Sequence, residues 1–379
     1  MEKNQVINKN TTGKMDIWLL MFVLALVTLG LMIVFSASSV SSDASSRFSH
    51  DVFYFFKRQL LWIVIGFIGL IIALNLDIMK LRKYSVLIIL GSAALLVIVL
   101  IPGIGTCVSG ARRWIIFGPF SFQPSEFAKI AIVFYLADFI TRRQDNFKQL
   151  KGIFIPAVIL MIICGLIELE PDLGTNLVIA GTFFALIFMA GFPLKYILGL
   201  FGIGVLAVGI GILSEGYRIK RMMAFINPWK DPLGTGYHTI QSLIALGSGG
   251  IFGVGLGQSR QKFFYLPEQH TDFIFAILGE ELGLMGTLLV ISLFLFIMYR
   301  GFKISLQAKH PFYRLLGAGV TFMITLQAFI NMGVVTAILP ATGIPLPFIS
   351  FGGSSMFFNL FCIGILLNIS KHSMFADKL

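Results

Sequence analysis

From Ile17 to Ser36 the chain carries no charged side chain, and apolar runs of similar length recur to its end. A helix needs about 20 apolar residues to cross the hydrocarbon core of a bilayer. Inside lipid every backbone N–H and C=O must find a partner within the protein, so such runs are expected to be helices. Charged residues make up 12% of the sequence and hydrophobic residues 57%, against roughly 25% charged in a soluble domain. A water-soluble core cannot hide that much apolar surface.

The expected fold is therefore an all-α polytopic membrane protein with about ten transmembrane helices. The runs lie near Asp16–Ser36, Leu60–Leu76, Tyr84–Ile101, Ser125–Ile140, Ile153–Leu169, Asn176–Ala190, Leu194–Leu213, Phe273–Tyr299, Leu315–Leu339 and Ser354–Ile369. The first run is long enough to span, which argues against a cleavable leader. The domain reading is one membrane domain over residues 16–370, with tails at 1–15 and 371–379 and one long loop, 214–272, before the eighth helix. Aromatics Phe53 to Phe56 are expected at the membrane interface.

Loop charge sets orientation. With the amino terminus inside, the inner segments carry most of the 29 Lys and Arg, among them Lys80, Arg82 and Lys83, then Arg142, Arg143, Lys148 and Lys151. Cationic short loops stay on the cytoplasmic side, so both termini are expected there and the long loop outside. The net charge of +11 is spread over these loops, not gathered in one basic domain, so nucleic acid is not an expected partner. Cys107, Cys164 and Cys362 have no metal-ligand spacing.

The densest polar stretch is Glu268-Gln269-His270-Thr271-Asp272, which passes at once into an apolar run. An ionisable group at the mouth of a span is costly unless it faces a wet cavity or a partner, so Asp272 is the leading catalytic candidate. Other polar clusters fall on the same outer side: Arg112-Arg113-Trp114, Glu126 with Lys129 on one helix face, Glu170 to Asp172, and Arg218, Lys220 and Arg221. A carboxylate with cations nearby suits activation of a hydroxyl nucleophile and departure of a lipid diphosphate. Each cluster also has a plainer reading. Arg112 and Arg113 can anchor headgroups, Glu126 and Lys129 can pair structurally, Glu170 to Asp172 can brace helix ends, His270 can bond within its loop, and Glu280 or Glu281 can join helices.

These residues carry a family resemblance. Gly110-Ala111-Arg112-Arg113-Trp114-Ile115, Phe122-Gln123-Pro124-Ser125-Glu126, Pro171-Asp172-Leu173-Gly174-Thr175, Leu266 through Ala276, Gly279-Glu280-Glu281-Leu282-Gly283 and Ile349 through Ser355 together resemble the SEDS proteins of shape, elongation, division and sporulation. Tyr217 to Arg221, Asn227 to Pro232 and Gln261 to Leu266 are similar to the division and sporulation (FtsW/SpoVE) branch more than to the elongation branch. Two departures stand out: Glu170 where Gln is common, and Phe351 where Tyr is common.

The resemblance implies an inverting peptidoglycan glycosyltransferase that polymerises lipid II at the outer face of the bacterial cytoplasmic membrane, at the division septum or in sporulation. It maps the catalytic acid onto Asp272. The family's polar cavity implies Arg112, Glu126, Lys129 and Asp172 as substrate-binding; with the cations and loop residues read above, Arg113, Arg218, Lys220, Glu268 and His270 complete the expected set. Implied partners are lipid II, undecaprenyl-diphosphate-linked glycan, a class B penicillin-binding protein as transpeptidase, and other divisome proteins. A divalent cation (Mg or Mn) could assist, although no metal motif is visible. The rival expectations are a lipid II flippase, which needs polar groups through to the inner side, and a non-catalytic scaffold that activates a transpeptidase, which does not need Asp272.

Overall fold

A computed structural model of the chain describes residues 14–43, 51–108, 110–118, 120–143, 150–213, 216–263 and 269–372. The apolar runs are helices. They are α1 (Ile17–Asp43), α2 (Tyr54–Asn75), α4 (Ser85–Leu100), α5 (Pro124–Arg142), α6 (Leu150–Leu169), α7 (Leu173–Met189), α8 (Leu194–Leu213), α11 (Ile274–Gln307), α12 (Pro311–Val335) and α13 (Gly353–Lys371). Three short helices join them: α3 (Ile78–Arg82), α9 (Gly216–Ile226) and α10 (Tyr237–Gly249). Among the described residues, seven helices are long and apolar enough to cross a membrane, and α4 and α7 are shorter apolar helices.

Local sequence sets several of the starts. Asp77 and Asp172 cap α3 and α7 by accepting backbone N–H bonds from Lys80 and Thr175. Pro124 and Pro311 stand in the first turns of α5 and α12, where the missing N–H costs nothing. The cap position of α5 is Gln123, and Ser125 lies inside the first turn.

Two features depart from an all-α reading with a plain outer loop. Between α4 and α5 the chain forms a three-stranded antiparallel sheet: β1 (Gly105–Val108), β2 (Ala111–Phe117) and β3 (Phe120–Phe122), in that order. Its register sets Thr106 against Trp114 and Ile115 against Phe122. The long loop is likewise not plain, because it folds α9, a 3₁₀ turn at Pro228–Lys230, and α10.

The eighth apolar run reads as one helix and is two. An uninterrupted helix of 34 residues would be about 51 Å long, well beyond the ~30 Å hydrocarbon core. Gly283 breaks it, with φ 67° and ψ −164°. The freed backbone groups bond to the segment after α10. Leu284 N–H donates to Gly250 O at 2.9 Å and Met285 N–H to Ile251 O at 3.1 Å. In return Val254 and Gly255 N–H donate to the carbonyls of Glu280 and Glu281 at 3.0 and 3.1 Å. A Cβ on either Gly253 or Gly283 would overlap the facing backbone, so both positions need glycine. This exchange satisfies irregular backbone inside a membrane protein.

The short first half of α11, from Ile274 to Glu281, is buried throughout and carries the Glu280 and Glu281 carboxylates inward. Glu280 accepts from Ser259 Oγ and from the N–H groups of Arg260 (3.0 Å) and Gln261 (3.3 Å). Glu281 accepts from Ser36 Oγ of α1 and lies 3.8 Å from Lys262 Nζ. Glu281 therefore joins α11 to α1, the helix contact of the plainer reading, whereas Glu280 ties α11 to the non-helical segment at Ser259 to Gln261. Elsewhere α2 and α13 approach closely: a Cβ on Gly364 would meet the Leu70 carbonyl at 2.5 Å.

Candidate active site

The turn from Gln269 to Phe273 is held by its own backbone. His270 O accepts from Phe351 N–H at 2.9 Å, Thr271 O from Ser350 Oγ at 2.6 Å, and Asp272 O from Asn331 Nδ2 at 2.8 Å. Ahead of them Gln269 Nε2 donates to Ala37 O (2.9 Å) and Lys262 O (3.1 Å). Three consecutive carbonyls are thus tied to α12 and to the loop between α12 and α13. The backbone beneath Asp272 is fixed from two sides.

Asp272 is partly buried and lines a cavity of about 490 Å³. The same cavity is lined from α9 by Lys220 and Arg221 and from α10 by His238 and Thr239. Asn331 and the loop from Leu339 to Ile344 also line it. Gly343 has φ 74°, and a Cβ placed there would lie 3.5 Å from Asp272 Oδ2. The His238 ring stacks on Phe273 with centroids 5.7 Å apart. Asp231, at the cavity edge, is held below the usual carboxylate range, chiefly by the Thr235 N–H. The cavity therefore sets two cations and two carboxylates, Asp272 and Asp231, around a space large enough for a sugar headgroup.

Of the residues expected to bind substrate, Lys220 joins Asp272 in this cavity. The others are placed as follows. Arg112 is exposed on β2, opposite Cys107, and is not among the cavity-lining residues. Arg113 is committed to backbone: Nε donates to Glu170 O at 2.8 Å and Nη2 to Pro171 O. It locks the α6–α7 turn, which leaves a diphosphate little of its fork. Asp172 is the α7 cap, accepting from Thr175 N–H (3.0 Å) and Thr175 Oγ1 (2.9 Å). Arg218 points away from the cavity, pairing with Glu168 and donating to Gly211 O at 2.8 Å. The His270 ring packs between Phe55 and Phe351, with centroids 4.5 and 5.9 Å away. Glu268 lies outside the described residues.

Glu126 and Lys129 form the expected pair, 2.9 Å apart and each 3% exposed. Lys129 Nζ also donates to Gln327 Oε1 at 2.5 Å. The pair lies in the interior rather than on the cavity wall. Glu170, beside the Arg113 lock, is fully buried, and neither carboxyl oxygen has a hydrogen-bond partner among the described residues. Burial pushes its pKa up to about 9, Asp172 adds to the rise, and Arg113 opposes it. Among the described residues no three of His, Cys, Asp and Glu are grouped to hold a metal ion.

The sequence reading missed His238, Asn331 and Gly343. Asn331 and Gln327 were visible as isolated amides in an apolar run, a pattern that marks interior polar contacts. Phe55 was assigned to the membrane interface, yet it packs on His270. Nothing in the local sequence singled out His238, which reaches the cavity only because α10 folds back against α11.

Comparison with known proteins places this geometry. A family model described as cell cycle protein, FtsW/RodA/SpoVE, matches residues 17–374. Stage V sporulation protein E of Bacillus subtilis (strain 168) is 47% identical over 363 residues, covering 95% of this chain and 98% of that protein. A protein of Geobacter metallireducens named probable peptidoglycan glycosyltransferase FtsW is 43% identical over 371 residues, covering 98% of each. Among solved structures, a chain from work on structural coordination of polymerization and crosslinking by a peptidoglycan synthase complex superposes with a TM-score of 0.78 at 27% identity. The rod shape determining protein RodA of Thermus thermophilus does so with a TM-score of 0.71 at 26% identity. Each match covers 95% of this chain and 98% of the other.

Proposed function

This chain belongs to the FtsW/RodA/SpoVE family of cell cycle proteins, and from that premise we propose that it polymerises lipid II with Asp272 as the general base. It is a multi-pass membrane protein and a peptidoglycan glycosyltransferase. The observation that carries the catalytic assignment is the position of Asp272: its backbone is pinned through three consecutive carbonyls, and its carboxylate shares a cavity with Lys220 and Arg221.

In the proposed step the Asp272 carboxylate takes the proton from the 4-hydroxyl of the incoming lipid II sugar. That oxygen attacks the anomeric carbon of the growing strand from the face opposite its undecaprenyl diphosphate. The new glycosidic C–O bond forms as the bond to the diphosphate breaks, and the configuration inverts. Lys220 and Arg221 hold the negatively charged diphosphate in place as it departs. The proton on Asp272 leaves to water before the next cycle. A general base contributes roughly 10²–10⁴-fold, or about 3–5 kcal/mol of barrier.

The membrane arrangement that suits this step has ten crossings, formed by α1, α2, α4 to α8 and α11 to α13. Both termini are cytoplasmic, and the segment from α9 to Asp272 faces outward. The loop charges support it, since the outward cavity then meets a substrate presented at the outer leaflet. The expected partner is a class B penicillin-binding protein, which supplies the cross-linking activity, at the septum or in spore formation.

The test is incubation of the purified full-length chain, with that partner, on lipid II. The wild type makes glycan polymer. Asp272→Asn is nearly isosteric and should accumulate normally while polymerising at least ~10²-fold more slowly. Polymerisation within a few-fold of wild type would remove Asp272 from the role of base.

A further inference from the structure

Two amides on one face of α12 bear on the loop that faces Asp272. Asn331 Nδ2 donates to Ile344 O at 2.7 Å as well as to Asp272 O at 2.8 Å. Gln327, one turn earlier, donates from Nε2 to Pro345 O at 2.9 Å. The carbonyls of Ile344 and Pro345 are consecutive, and Pro345 has no N–H of its own to anchor the loop there. Immediately before them stands Gly343, against the Asp272 carboxylate.

Neither amide is free to turn over. Both hydrogens of Asn331 Nδ2 go to carbonyl oxygens, so a flipped amide would set its own oxygen against two others. Gln327 is fixed at both ends, because its Oε1 accepts from Lys129 Nζ while its Nε2 donates to Pro345 O. Lys129 is in turn held by Glu126 at 2.9 Å. A continuous chain of polar contacts therefore runs from Glu126 and Lys129 on α5, through Gln327, to the Ile344–Pro345 carbonyls. From there it passes through Asn331 to the backbone of Asp272.

We infer that Gln327 and Asn331 are positioning residues of the glycosyl transfer. They fix the Gly343–Pro345 loop against Asp272 and so set where its carboxylate stands in the cavity. The Glu126–Lys129 pair is the buried end of the same brace. This inference rests on Asp272 being the base. Since a displacement of about 1 Å at a reacting group can cost ~10²-fold in rate, a brace of this kind acts on turnover more than on substrate affinity.

Asn368 provides a matched control. It makes the same kind of pin, donating from Nδ2 to the carbonyls of Ala73, Leu74 and Leu76 at 3.1, 3.0 and 2.7 Å, but it ties α13 to the end of α2 and does not line the cavity. Initial rates on lipid II and melting temperatures are measured for the full-length chain with its transpeptidase partner. Asn331→Leu should lower kcat at least ~10-fold with KM within about twofold. Gln327→Met, which keeps side-chain length, should act in the same direction, and the double variant should lose less than the product of the two single losses. Asn368→Leu should lower the melting temperature while kcat holds. Gln327→Met carries the test if Asn331→Leu does not accumulate.

An unchanged kcat in both variants overturns the inference while leaving Asp272 as the base, provided Asp272→Asn is inactive. A rise in KM alone makes these residues substrate contacts and also overturns it. An equal kcat loss in Asn368→Leu reduces the effect to stability, with the same consequence. An active Asp272→Asn removes the inference and the base assignment together.

Discussion

A Cβ placed on Gly343 would stand 3.5 Å from Asp272 Oδ2, so the carboxylate faces a loop position that lacks a side chain. Gly343 also sits at φ 74°, in the left-handed region. Alanine there meets no hard clash, but it carries a conformational cost of ~1–2 kcal/mol. If the loop relieves that cost by shifting, Asp272 loses its support. Gly343→Ala should therefore polymerise about tenfold more slowly at unchanged protein level, since 1.4 kcal/mol of barrier is a factor of ~10. A native rate would mean that the loop can move without moving the carboxylate.

Glu170 gives a pH dependence with a definite sign. Its folded pKa, about 9, lies above the ordinary 4.5. The unfolded chain therefore ionises first as pH rises, and the folded chain loses relative stability between about 4.5 and 9. Glu170→Gln does not titrate and should remove that loss. Melting temperatures in detergent should be similar for the two proteins at pH 5. By pH 8 the variant should be the more stable by ~5 °C. A parallel pair of curves would mean that Glu170 is ionised in the fold.

How much of this was readable beforehand depended on how local each signal was. The apolar runs became helices because a run of that length has few alternatives in lipid. Asp272 was conspicuous because a carboxylate at the mouth of an apolar run demands a reason. The break in α11 was hidden, since Gly279 to Gly283 reads as helix and its partners, Gly250 to Gly255, lie some thirty positions upstream. The β1–β3 sheet was hidden in a stretch read for its charges. Arg218 and Lys220 looked equivalent in sequence. On α9 they diverge, one toward Glu168 and the other toward the cavity, a choice made by tertiary packing alone.

Arg112 and Arg113 are neighbours with different consequences. Arg113→Ala removes two bonds from a charged guanidinium to the Glu170 and Pro171 carbonyls, each worth about 1.5–3 kcal/mol. It also removes the cation that restrains the Glu170 pKa. The variant should melt clearly below wild type. Arg113→Lys should recover only part of the loss, because a single ammonium cannot reproduce the fork. Arg112→Ala, at an exposed strand position, should leave the melting temperature within ~1 °C. If thermal unfolding ranks Arg112→Ala below Arg113→Ala, the lock on the α6–α7 turn is not what Arg113 provides.

Lys220 and Arg221 line the same cavity as Asp272, and their proposed work is on a diphosphate. Both are exposed, so salt screens them and neither should matter to folding. Removing one charge-assisted contact in such a setting should raise KM for lipid II about tenfold, and the double alanine variant should raise it further. The defect should shrink as ionic strength rises, because the wild type loses the same attraction to screening. Lys230→Ala is the control: it removes an exposed cation of the same loop that does not line the cavity, and it should leave KM unchanged. If Lys230→Ala weakens substrate use as much as Lys220→Ala or Arg221→Ala, the loop acts through overall charge. The diphosphate then has no defined seat on α9.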